Sequence, residues 1–298
     1  MIQVPDELAA NQVRFHGDAG RAWVARVPGL AADAFDQWDL RPDGGVRHGY
    51  VGLVVPVVRH DGTTAAVKLQ PIDPMHLGEA TALRVWDGDG AVRLLAEHET
   101  EGTAILLLER LEPDSCLLTI KEDEAVGIIK GLLSRLNAHQ APPEIQKLDD
   151  VVAKMLAYVP EAVTKLADAR EQLLLIRWSD AVNDLGPAGD RLLHWDLHYE
   201  NVLAGQREPW LAIDPKPLAG DPAFELLPAL HNRWDEAVAT GDPAKVVRRR
   251  FDQLSEGMDR DHAVLWTLAR VLQNSLWTIE DGDARLEPVQ MAVADAIT

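Results

Sequence analysis

The chain has one cysteine, Cys116, in 298 residues. That scarcity excludes an internal disulfide framework and a thiolate metal cage. Basic side chains are also few: 29 Lys and Arg stand against 48 Asp and Glu, a net charge of −19 with His neutral. A protein that grips phosphate backbones needs a basic footprint, so nucleic acid is excluded as a main partner. Docking on anionic membrane surfaces is disfavoured for the same reason. The triplet Arg248-Arg249-Arg250 does not reverse this, because on a helix it is expected mostly to face solvent. No apolar run approaches the ~18 residues of a membrane span. The opening MIQVPDELAA has neither a basic n-region nor a long apolar h-region, so a cytoplasmic protein is expected. Phe and Tyr are sparse beside nine Trp, and most of these tryptophans are assigned to packing. What is abundant is apolar content, 47%. With this length it supports a sizeable core and one large or two medium domains.

The first third reads as sheet. Tyr50 to Val58 is β-branched and apolar, His60-Asp61-Gly62-Thr63 makes a turn, and Thr64 to Leu69 resumes, which predicts a hairpin. Met75 to Trp86 has helical spacing and is stopped by Asp87-Gly88-Asp89-Gly90. Val92 to Glu97 and Thr103 to Leu108 read as two more strands. Sheet plus one helix thus accounts for the chain up to about Leu111. Beyond it the pattern turns helical. Thr119-Ile120-Lys121-Glu122 matches a capping box, and a helical stretch from Val151 to Asn183 carries an expected break at Pro160. A strand-rich island covers Arg191 to Ile213. Asp242-Pro243 signals a helix start, and a last long helix runs from about Asp261 to Glu280. Two lobes, 1–111 and 112–298, with a cleft between them are expected.

The chemistry concentrates in His194-Trp195-Asp196-Leu197-His198-Tyr199-Glu200-Asn201. Asp196 and Asn201 have the spacing of the acid and amide in a kinase catalytic loop. Asp214 follows an apolar strand. Phosphoryl transfer needs a carboxylate to accept the proton of the attacking hydroxyl, and an amide oxygen and a second carboxylate to hold Mg²⁺. Asp196, Asn201 and Asp214 suit those roles in that order. Lys68, inside an apolar strand, needs a partner. Glu79, eleven residues on, would supply it in a pair that orients nucleotide phosphates. Gly49 and Gly52 offer a glycine-poor phosphate loop, and Glu109-Arg110-Leu111 a hinge whose backbone would meet adenine. His194, Asp196 and His198 alternate, and the competing metal-site reading leaves Asn201, Asp214 and Lys68 unexplained. His194 and His198 are therefore read as structural, and Asp221-Pro222 first as a helix cap.

Taken with WLAIDPKPLAGDPAFE, AAVKLQP and the closing LARVLQNSLWTIEDG, this loop resembles the aminoglycoside phosphotransferase family, in its streptomycin 6-kinase and hydroxyurea-resistance branch. The family pattern is close to H-G-D-L-H-x-x-N-x-L, and the likeness covers most of the chain. It implies an α+β, bilobal, protein-kinase-like fold: an N-terminal antiparallel sheet with one helix, and a larger, mainly helical C-terminal lobe. It also implies ATP and Mg²⁺, a small hydroxylated acceptor and catalysis by Asp196. Trp195 stands at the usual Gly of the pattern, and Glu225 where Asp is commoner.

Residues 1–111 carry 10 basic and 16 acidic side chains, and the remainder 19 and 32. An acidic acceptor lobe attracts a polycation, and guanidinium groups pair well with carboxylates. Asp221, Glu225, Trp277, Glu280 and Asp281 are the acceptor candidates. The expected enzyme is a monomer or homodimer that phosphorylates an aminoglycoside, streptomycin first. A kinase of a sugar, hydroxyurea or another metabolite, and a non-catalytic kinase-like binding module, are the alternatives.

Overall fold

The computed structural model describes residues 2–73 and 77–298, and the chain divides into two compact units. The first comprises Met1–Glu112 with Gly205–Arg207; the second comprises Pro113–Ala204 and Glu208–Thr298.

In the first unit α1 (Asp6–Trp38) leads into β1 (Leu40–Pro42), β2 (Arg47–His48), β3 (Leu53–Arg59) and β4 (Thr64–Pro71). Helix α2 (Glu79–Trp86) and strands β5 (Leu94–Thr100) and β6 (Thr103–Glu109) follow. The antiparallel sheet runs β1-β3-β4-β6-β5, with β2 also on β3. The expected hairpin is β3–β4, with Val58 opposite Thr64 and Val54 opposite Lys68. Alternation buries Leu53, Val55, Val57, Ala65, Val67 and Leu69 against Trp23, Val27, Leu30 and Ala34 of α1. Helix α2 ends where the DGDG stop was read, with Asp87, Gly88 and Gly90 all at positive φ. Its predicted start at Met75 lies outside the described residues.

Helix α1 is an addition to the single helix expected here. Two helical runs meet at Gly17, whose φ of 56° and ψ of −129° are non-helical, and Pro28 lies further along. Its buried face uses Gln12, Gly20, Ala31 and Ala34 as well as large apolar residues, which dilutes the helical signal.

The second unit contains most of β7 (Leu111–Cys116), then α3 (Glu122–Leu136), α4 (Leu148–Lys165) and α5 (Ala169–Asn183). Strands β8 (Arg191–Leu193), β9 (Val202–Gly205), β10 (Trp210–Ala212) and β11 (Leu218–Gly220) form the central island. Helices α6 (Leu227–His231), α7 (Trp234–Ala239), α8 (Pro243–Leu254), α9 (Arg260–Glu280) and α10 (Pro288–Ile297) complete it. Strand β11 passes so close to α4 that a Cβ on Gly220 would lie 2.7 Å from Leu148.

Three local expectations change. Thr119 does not cap α3: its hydroxyl donates to the Cys116 carbonyl, and Glu122 pairs with Arg249 and Arg250 instead. Helix α4 continues through Pro160, and the break falls at 166–168, where Asp168 caps α5 by accepting from the Arg170 N–H. Arg250 is not solvent-facing. It is 1% exposed and also donates to the Leu230 and Asn232 carbonyls. By contrast, Asp242 caps α8 as read, with Pro243 in its first turn.

Candidate active site

In the first unit the candidate nucleotide-binding residues begin with Lys68. The residue lies mid-strand in β4 between Val54 and Leu106, and its side chain is buried. A lone ammonium there would be costly. Its Nζ donates to both carboxylate oxygens of Glu79 at 2.8 Å, and Gln70 donates to Glu79 Oε2 at 2.5 Å. The predicted lysine–glutamate pair is therefore formed. The loop 49–52 joins β2 to β3, closed by a Gly49 N–H donation to the Gly52 carbonyl at 3.0 Å. Helix α1 holds its tip: Gln12 donates to the Val51 carbonyl at 2.6 Å and Asn11 to that of Tyr50 at 3.2 Å. A Cβ on Gly49 would meet no protein atom within 4 Å, and one on Gly52 would stand 3.6 Å from Lys68 Cε. Side chains at these positions would fill the space over the loop and beside the lysine, so the glycines suit a phosphate group there.

Glu109 has a tied side chain. Its carboxylate takes the Arg207 guanidinium at 3.0–3.3 Å, and its N–H donates to the Arg93 carbonyl at 2.9 Å. A nucleotide base meeting this segment is left the backbone beyond it, where Leu111 is buried.

In the second unit the loop between β8 and β9 is locked by its own side chains. His194 is fully buried. Its Nε2 donates to the Ile213 carbonyl at 3.0 Å, and its Nδ1 accepts the Asp196 N–H at 3.4 Å, a tautomer assigned from these partners. Burial pushes its pKa down to about 4. His198 Nδ1 accepts the Glu200 N–H, so both histidines hold the loop. Asn201 Nδ2 donates to the Asp196 carbonyl at 2.9 Å, so Oδ1 is the atom that could ligate a metal ion. Strand β10 pairs antiparallel with β9, and the Ile213 N–H donates to the Asn201 carbonyl at 2.9 Å. This pairing carries Asp214, half-buried and at φ 57°, to the side of Asn201.

Among the described residues no group of three or more His, Cys, Asp or Glu is assembled for a metal ion. An Mg²⁺ held by two protein oxygens and completed by nucleotide phosphates needs no such group. The hard oxygen donors of Asn201 and Asp214 fit that ion.

Sequence reasoning missed Lys216. Its N–H donates to the His194 carbonyl at 3.0 Å, and its Nζ lies 2.6 Å from Asp196 Oδ2. Burial opposes ionisation of Asp196, but Lys216, aided by His198 and Arg270, holds its carboxyl below the usual range. The clue was the lysine two residues beyond Asp214; the partner is set by a chain crossing that spacing does not reveal. Lys216→Met is expected to lower kcat by about 10²-fold, the scale for a misplaced reacting group, with nucleotide affinity kept. An unchanged kcat would reduce the pair to a surface ion pair.

Asp196 opens on a cavity of about 410 Å³ in the second unit. Its lining includes Glu200, His231, Arg270, Asn274, Trp277, Asp281 and Glu287. Trp277 and Asp281 are thus the two acceptor candidates that reach it. Residues 270, 274, 277 and 278 follow one face of α9 and Asp281 is its C-cap, a periodicity readable in the sequence once a helix face is suspected.

The other three candidates lie elsewhere. Asp221 caps the turn at Ala223 and takes His262 Nε2 at 2.7 Å. Glu280 is exposed and does not line the cavity. Glu225 is fully buried and accepts the Trp195 N–H at 2.5 Å, so it holds the loop and is closed to an acceptor.

Burial pushes the Glu225 carboxyl up to about 7, against a value near 4.5 in the unfolded chain. The folded state then binds more protons between these values, and this contribution to stability is lost as pH rises from about 4.5 through about 7. Glu225→Gln, neutral throughout, should gain on the wild type over that interval in chemical denaturation and run parallel above it. A difference independent of pH would contradict this.

A family model described as aminoglycoside/hydroxyurea antibiotic resistance kinase matches residues 37–282. Over 300 residues the chain is 52% identical to a streptomycin 6-kinase of Streptomyces griseus, covering 99% of this chain and 97% of that one. It is 49% identical over 303 residues to a hydroxyurea phosphotransferase of Kitasatospora aureofaciens, covering 100% and 86% respectively. In fold it is similar to a macrolide 2'-phosphotransferase of Brachybacterium faecium, with a TM-score of 0.55, 18% identity and coverage of 91% and 97%. The kinase-like architecture read from the catalytic loop is therefore established, and the chain belongs to the aminoglycoside/hydroxyurea antibiotic resistance kinases.

Proposed function

We propose that this enzyme transfers the γ-phosphoryl group of ATP to a hydroxyl of streptomycin or a related guanidinylated aminocyclitol. The observation that carries the reading is the cavity in which Asp196 shares walls with Glu200, Asp281 and Glu287. The base and a set of carboxylates suited to a cation stand in one place. Asp281 adds weight because it caps the C-terminus of α9. A carboxylate at the negative end of a helix dipole is unfavourable by about 0.3–1 kcal/mol. A bound guanidinium would offset that cost.

Asp196 orients the acceptor hydroxyl and takes its proton as the new oxygen–phosphorus bond forms and the bond to the leaving ADP oxygen breaks. Lys68, fixed by Glu79, holds the nucleotide phosphates. Mg²⁺, when bound at Asn201 and Asp214, would neutralise charge developing on the phosphates. The use of ATP suits the cytoplasm, and no described helix is long and apolar enough to cross a membrane.

Hydroxyurea is the second reading, favoured by the 49% identical relative. It is small and uncharged, and it would leave most of the cavity and its carboxylates without a partner. Asp281→Asn distinguishes the two. It is expected to raise the streptomycin KM by about tenfold, as for loss of a charge-assisted hydrogen bond, with the ATP KM unchanged. The wild-type streptomycin KM should also rise with salt. Equal KM values in variant and wild type would count against cation recognition by this wall.

A further inference from the structure

Trp195 immediately precedes the proposed base and has a φ of 66°, the left-handed region that glycine enters freely and a bulky side chain does not. Such strain persists only where the surroundings over-determine it. Here four groups do so. The Trp195 N–H donates to Glu225, and Nε1–H donates to Gln273 Oε1 at 3.1 Å. The Arg270 guanidinium lies 5.5 Å from the indole centroid and the Trp277 ring 5.9 Å. Gln273 Oε1 accepts from Arg270 as well, which ties cation and indole to one oxygen.

The indole is 5% exposed and is absent from the cavity lining, whereas Arg270 and Trp277 both line it. Arg270 is itself buried, 5.1 Å from the Trp277 centroid and 5.7 Å from that of Phe224. The arginine is therefore held by aromatic faces and by Gln273, while its charge also acts on the Asp196 and Glu225 carboxylates. Among the described residues its Nε, with His231 Nδ1 and Asn274 Oδ1 on the same lining, is a buried polar atom without a protein hydrogen bond. A glycine at position 195 would remove the face against which both Arg270 and Trp277 rest.

We propose that Trp195 is a positioning residue that determines acceptor specificity, by holding Arg270 and Trp277 in the cavity wall opposite the acceptor. The inference rests on the reading of this cavity as the acceptor site. Its partners Glu225, Gln273, Arg270 and Trp277 are not among the residues assigned to the nucleotide, so nucleotide binding is expected not to depend on it.

The test is steady-state kinetics of Trp195→Gly and Trp195→Phe with ATP and streptomycin, alongside calorimetric ATP affinity and thermal unfolding. Trp195→Gly relieves the backbone but removes the buttress. Its acceptor KM should rise about tenfold or more, within the range a reshaped apolar pocket gives, while ATP affinity stays within about twofold. Trp195→Phe keeps a ring against Arg270 and Trp277 and loses only the bond to Gln273, so its acceptor KM should lie between the two. Loss of thermal stability with an unchanged acceptor KM would make Trp195 a core filler and overturn the proposal. Parallel loss of ATP and acceptor affinity would overturn it too, as a general loosening of the loop. Should Trp195→Gly fail to fold, Trp195→Phe decides by the same two criteria. A wild type that phosphorylates no guanidinylated acceptor would remove the acceptor reading and this proposal together. Turnover by the wild type, with variants equal to it, would remove only the proposal.

Discussion

Asp196→Asn is expected to lower the rate of phosphoryl transfer by about 10²–10⁴-fold, the contribution of a positioned base, while ATP affinity stays within about twofold. The amide keeps the shape of the side chain and can still meet Lys216, but it cannot take the hydroxyl proton. The neighbouring geometry should survive, because Asn201 and His198 bond to the backbone carbonyl of Asp196 and not to its carboxylate. Single-turnover rates and calorimetric ATP titration read the two quantities separately. Retention of more than about a tenth of wild-type kcat would remove Asp196 from the role of base.

Lys68→Met should act on stability and nucleotide binding at once. The pair with Glu79 is buried on both sides, at 8% and 2% side-chain exposure, and removing the lysine takes the ammonium from a buried carboxylate to which Gln70 also donates. Breaking a buried pair costs about 3–5 kcal/mol, whereas replacing both members with apolar groups of similar size is often neutral. Lys68→Met is therefore expected to lower the unfolding free energy by that amount and to raise the ATP KM. Lys68→Met/Glu79→Leu should regain stability without regaining ATP affinity. Recovery of ATP affinity by the double variant would show that the lysine served the fold alone. This cycle separates the structural and functional parts of one interaction.

The parts of the site legible in the sequence are those fixed by short spacing. Asp196 and Asn201 lie on one loop, and Asp214 follows the strand that pairs back onto it. The Lys68–Glu79 pair was legible because a lysine inside an apolar strand demands a partner and a helix follows directly. What was not legible depends on chain crossings. Lys216 reaches Asp196 through its backbone bond to His194. Glu225 was read as an accessible carboxylate because sequence does not show that the Trp195 N–H draws it inward. Helix α1 escaped because Gly17 divides it and small residues share its buried face. The capping box at Thr119 failed because Glu122 was claimed by Arg249 and Arg250, more than a hundred residues away. In each case a local rule gave way to a tertiary partner with more to offer a charged group.

The proposed reaction is transfer of the γ-phosphoryl group of ATP to a guanidinylated acceptor, with Asp196, set in a cavity walled by carboxylates, taking the hydroxyl proton. The most direct test is to incubate the wild-type protein with ATP, Mg²⁺ and streptomycin, follow ADP release, and weigh the antibiotic by mass spectrometry. Streptomycin carrying one added phosphoryl group, formed one for one with ADP, is the expected product. Unmodified streptomycin, alongside efficient phosphorylation of hydroxyurea or an uncharged sugar under the same conditions, would contradict it.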